Sequence, residues 1–134
     1  MYYWAWFYRV WLKRTVNRMK LDISKVKIIT TIPLDNVGEM RNALCDAGAG
    51  VIGNYAHCST STKCVGTFKP NSKANPYIGE NGKLEFVEEE KLEVVCDVEK
   101  AKDVIISLRK IHPYEEPAID IIPLLDENDL MQNN

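Results

Sequence analysis

The chain has 134 residues, 46% hydrophobic and 27% charged, which suits one domain with a modest core and excludes a disordered tail. No apolar run approaches the roughly 20 residues of a membrane helix, so a soluble globular unit without a membrane partner is the expectation. The net charge of −2 hides an uneven distribution: residues 1–18 carry Arg9, Lys13, Arg14 and Arg18 and no acid, leaving 13 basic against 19 acidic groups for the rest.

Seven of the 12 aromatic residues, including all three tryptophans, fall in the first eleven positions. A secretory signal places its positive charge ahead of the apolar stretch, whereas Arg9 interrupts this one and Lys13, Arg14 and Arg18 follow it. As a helix the segment would set Trp4, Phe7, Tyr8 and Trp11 near one side, which suits a membrane-surface anchor. The simpler expectation is that residues 1–18 are a basic aromatic leader outside the fold and that the domain starts at Met19.

Lys25–Ile32 is rich in β-branched residues and ends at Pro33, as a buried first strand should. From Leu34 to Ala47, Val37, Met40, Leu44 and Ala47 recur at three-to-four spacing, and Gly48 supplies a stop, so a helix is expected. The run Gly48–Gly53 matches G-x-G-x-x-G, yet it follows a helix instead of opening one, the wrong context for dinucleotide binding. Its glycines read as cap and turn positions.

Tyr55–Lys69 suggests two short strands joined by a turn near Lys63, and Pro70–Lys83 gathers Pro, Asn and Gly into a loop of a length associated with binding or gating. Leu84–Cys96 lacks Gly and Pro and sets Leu84, Phe86, Leu92, Val94 and Cys96 on one parity, a long strand in which Glu88-Glu89-Glu90 reads as a solvated portion. Asp97 is placed to cap a second helix with the stripe Val98, Ala101, Val104, Ile105, Leu108 and Ile111, and Arg109 and Lys110 suit its negative end. Pro113 and Pro117 break it, Ala118–Leu124 returns as a strand, and a polar tail follows.

The four cysteines form no C-x-x-C pair, so reduced thiols in the cytoplasm are expected. A zinc site from His57, Cys58, Cys64 and His112 would need tertiary convergence, and Cys45 and Cys96 sit at apolar positions. The order β-α-β-β-β-α-β, or β-α-β-β-α-β with the central strands merged, is an α+β, ferredoxin-like split βαβ arrangement: an antiparallel sheet with two helices on one face. The other face needs a cover, and self-association would supply one.

His112-Pro113-Tyr114-Glu115-Glu116-Pro117 packs an imidazole, a phenol and two carboxylates into six residues, the best site candidate in the chain. A packing role, with the acids in water, is its structural alternative. Gly48–Tyr55, His57-Cys58-Ser59, Gly66–Pro70, Asn75–Gly79 and His112–Leu124 together resemble the inserted PII-like domain of the Ngg-interacting-factor-three (YqfO) family. The HPYE segment and following strand are also similar to the CutA divalent-cation-tolerance proteins.

The resemblance covers about Val26 to Leu124 and implies a single PII-like domain over residues 19–126, followed by a polar tail at 127–134. Related PII and CutA folds imply a homotrimer with a small molecule or divalent cation in its clefts, near His57, His112, Tyr114, Glu115 and Glu116. Family members resemble dimetal hydrolases labelled as GTP cyclohydrolase homologues, but their metal ligands lie outside this insert. No catalytic residue is assigned. Two alternatives remain: a structural trimerisation domain, and an enzyme using His112 as base beside Glu115 or Glu116. Nucleic acid is disfavoured by the acidic balance after residue 18.

Overall fold

A computed structural model describes residues 22–131; the leader at 1–18 and the end of the tail lie outside the described residues. Strand β1 (Lys25–Pro33) leads through a 3-10 turn into helix α1 (Val37–Asp46). Strands β2 (Thr60–Phe68) and β3 (Glu85–Asp97) form a hairpin, followed by helix α2 (Val98–Ile111), strand β4 (Ile119–Leu124) and a short helix α3 (Glu127–Met131). The sheet is antiparallel throughout, in the order β2-β3-β1-β4.

Alternation along the strands makes this a two-layer structure. Val26, Ile28 and Ile32 of β1 and Leu92, Val94 and Cys96 of β3 face Val37, Met40 and Leu44 of α1 and Val104 and Leu108 of α2, forming one core. Both helices therefore cover the same face, and Ser107 Oγ, donating to the Ala43 carbonyl at 3.2 Å, ties one to the other. Among the described residues no helix is long and apolar enough to cross a membrane.

Three local expectations are refined. Tyr55–Lys69 takes the merged of its two alternatives: Thr60–Phe68 is one nine-residue strand, and the turn lies beyond it, in the loop before β3. β2 is an edge strand beyond the helices' cover, which is why its sequence lacks a clean apolar alternation. Asp97 occupies the cap position of α2 but makes no side-chain cap bond; its Oδ1 takes the Lys25 ammonium at 2.6 Å. Val98 at the start of the α2 stripe is exposed, while Val104 and Leu108 are fully buried.

The glycine run works as turn chemistry. Gly50 has φ +71°, and a Cβ there would fall 2.7 Å from the Cys58 carbonyl. Its N–H donates to the Val95 carbonyl and its own carbonyl accepts from Cys58 N–H, both at 2.8 Å, so this turn fastens the α1–β2 connection to β3. All four cysteines are free thiols, and burial pushes those of Cys45 and Cys96 above their ordinary value.

Candidate functional site

The acidic triplet of β3 is divided by the strand itself, since consecutive side chains leave opposite faces. Glu88 is exposed. Glu90 turns to the helix side, 3.5 Å from Arg41 of α1. Glu89 turns to the other face and is only 3% exposed, so the triplet is not the solvated run its composition suggests. A buried carboxylate needs a partner. Tyr114 provides one, its hydroxyl donating to Glu89 Oε1 at 2.7 Å. The second oxygen, Oε2, lies against Gly66 of β2, where even an alanine Cβ would overlap it. Burial and the Glu89 carboxylate together push the Tyr114 phenol well above its ordinary value, so it stays a donor at neutral pH.

His112 sits behind this pair, 7% exposed. Its Nε2 is 2.8 Å from the Thr31 carbonyl, which can only accept, so Nε2 carries the proton. Its Nδ1 then accepts the Tyr114 backbone N–H at 3.1 Å. Burial pulls its pKa below the ordinary imidazole value, against the Thr31 carbonyl and the Glu89 charge, which favour the cation. An imidazole with both nitrogens engaged has none free for a substrate proton or a metal in this arrangement. Its work is positional: it holds the turn that presents Tyr114. The buried Thr30 hydroxyl completes the latch, donating to the Ala118 carbonyl at 2.8 Å where the chain enters β4.

Tyr114 forms one wall of a cleft of about 350 Å3. Phe68 at the end of β2 and Tyr77 in the long loop adjoin it, with ring centroids 6.2 and 6.3 Å from that of Tyr114. Glu89, Glu115, Glu116 and Lys69 are the charged residues of the lining. The loop expected at Pro70–Lys83 supplies Pro70, Ala74, Pro76, Tyr77 and Ile78 to the lining. Its base is closed by the Gly82 N–H donating to the Pro70 carbonyl at 2.7 Å, and Asn75 N–H donates to Glu115 Oε2 at 3.0 Å, joining loop to turn.

Of the five expected site residues, Tyr114, Glu115 and Glu116 line the cleft, His112 supports it from behind, and His57 stands apart. His57 lies in the α1–β2 connection, exposed, with its Nε2 3.9 Å from Asp46 Oδ1. Sequence reasoning missed Glu89; its one signal was a parity that sets it opposite the apolar residues of β3. Among the described residues no group of three or more His, Cys, Asp and Glu side chains is arranged to hold a metal, including the candidate zinc set of His57, Cys58, Cys64 and His112.

No protein-family model matches the chain. It is 44% identical over 108 residues to the GTP cyclohydrolase 1 type 2 homolog of Halalkalibacterium halodurans, covering 81% of this chain and 29% of that protein. It is 46% identical over 98 residues to the protein of the same name from Bacillus subtilis, covering 73% and 26%. The chain thus spans less than a third of the length of these curated relatives.

Among solved structures it is similar to a Bacillus cereus protein related to NIF3, with TM-score 0.67, 40% identity, and 77% of this chain and 26% of that one covered. CutA from Synechococcus elongatus superposes with TM-score 0.59 at 15% identity, covering 78% and 80%, a likeness of fold alone. The chain is therefore a CutA/PII-like α+β unit, related in sequence to one segment of the NIF3-related GTP cyclohydrolase 1 type 2 homologs.

Proposed function

We propose that this chain is a small, self-associating binding module, a homotrimer that holds a small ligand in the cleft beside the Pro70–Lys83 loop. The observation that carries the ligand half is the Glu89–Tyr114 pair: a nearly buried carboxylate held in place at the wall of a cleft large enough for a small molecule. The same turn brings Tyr114, Glu115 and Glu116 to that cleft, and the loop is pinned to it through Asn75 and Glu115.

Uncovered apolar surface supports self-association. Val65 and Phe86 are 63% and 68% exposed and share one face of the β2–β3 hairpin, beyond the helices. Trimeric assembly follows the resemblance to PII and CutA folds. The cyclohydrolase name of the curated relatives describes much longer proteins and is not carried to this cleft, where His112 has no free ring nitrogen.

Thermal melting of the full chain against divalent metals, nucleotides and organic amines tests the ligand half. A rise in melting temperature with at least one class is expected, because a ligand that binds only the folded state stabilises it. A flat response across the panel would contradict the reading and leave a purely structural association domain.

A further inference from the structure

The cleft lining is selective in its chemistry. Three carboxylates, Glu89, Glu115 and Glu116, stand against one cation, Lys69. An anionic ligand therefore meets net repulsion. Glu89 is 3% exposed and lines the cleft; Tyr114 donates to its Oε1, and its Oε2 packs against Gly66, where a side chain would overlap it. A nearly buried carboxylate at the wall of a cleft favours a positively charged hydrogen-bond donor.

The remaining walls say what kind of cation. Phe68, Tyr77 and Tyr114 present adjoining rings, and ring faces attract ammonium and guanidinium groups at about 6 Å or less. A divalent metal ion instead wants roughly six or more oxygen ligands. It could use one Glu89 oxygen but nothing of the ring faces. An alkyl chain bearing a cation uses both, burying its methylenes on Pro76, Ile78 and the rings while its head reaches Glu89.

We infer that the cleft binds an organic cation, an ammonium or guanidinium on a short alkyl chain, with Glu89 as its counter-charge and the Phe68, Tyr77 and Tyr114 rings as its walls. This rests on the reading of the cleft as the ligand site. Glu115 ties the Pro70–Lys83 loop to the turn through Asn75, and Glu116 adds negative potential to the lining.

Titration calorimetry of the full chain tests the inference, using agmatine and spermidine as free amines, N-acetylarginine amide as the mimic of a protein side chain, and ATP and manganese as contrasts. Binding by agmatine or spermidine supports a free amine as the source, and binding by the arginine amide alone supports a side chain on a partner; both uphold the organic cation. Glu89→Gln, which preserves an acceptor for Tyr114, is expected to weaken binding about tenfold or more. Tyr77→Ala, at an exposed loop position, should weaken it about threefold or more. Glu88→Gln, on the opposite face, should leave it unchanged.

Binding of ATP or manganese with all three organic cations silent would overturn the inference and leave the binding-module reading standing. Silence across the whole panel would overturn both. Organic-cation binding that Glu89→Gln does not weaken would overturn the placement at Glu89.

Discussion

One hydrogen bond secures the buried carboxylate of the cleft. The Tyr114 hydroxyl is the donor that makes a buried Glu89 tolerable, so Tyr114→Phe keeps the ring and removes the bond. Urea denaturation of that variant should show a loss of about 1–3 kcal/mol, the cost of a buried acceptor stripped of its partner. An unchanged midpoint would mean that Glu89 does not depend on the phenol. His112 offers a second check, by pH. Its imidazole is held neutral below the ordinary value of 6.5, so the unfolded chain takes up a proton before the folded one does. The stability of the neutral, doubly bonded ring is complete above pH 6.5 and is lost as the pH falls from there towards the lower folded value. His112→Gln can still donate to Thr31 and does not titrate. Its stability should fall less steeply than that of the parent between about pH 7 and 5; equal slopes would contradict the buried neutral imidazole.

At the level of elements, the helices act through a few fully buried side chains and the glycines through close approach. Leu108→Ala in α2 opens a cavity under the sheet and should cost about 2–5 kcal/mol in denaturant melts. Val98→Ala at the exposed head of the same stripe should cost well under half as much. Comparable losses would mean that the stripe is buried along its whole length. Gly66→Ala should both destabilise the fold and narrow the cleft, since the new methyl would occupy the place of Glu89 Oε2. The helices and β1 were legible because their patterns are local: three-to-four spacing in α1 and α2, and β-branched residues ending at Pro33 in β1. The β2 edge is less legible, because Lys63 and its polar neighbours lie where neither helix covers the sheet. Tyr114, Glu115 and Glu116 were legible as a dense cluster of functional groups, whereas Glu89 was hidden in an acidic run. Its burial depends on a tyrosine 25 residues further along the chain and on a glycine of the neighbouring strand, neither of which a local pattern encodes.

For the whole molecule, one layer of helices covers one face of a four-stranded sheet, and the opposite face is partly closed by the turn at Tyr114 and the loop tied to it. The rest of that face, with Ile29, Val87 and Val95 only half-buried, and the apolar flank of the β2–β3 hairpin remain uncovered. A single copy in water would leave this apolar surface wet, and assembly removes it at little cost in new structure. On the proposed reading the module works as an assembly, with the ligand cleft built on each chain. Light scattering of the full chain after size-exclusion chromatography tests it most directly. The expected mass is three times the 15.3 kDa of one chain, reduced by Phe86→Glu at the exposed hairpin face. A concentration-independent mass of 15.3 kDa would contradict it.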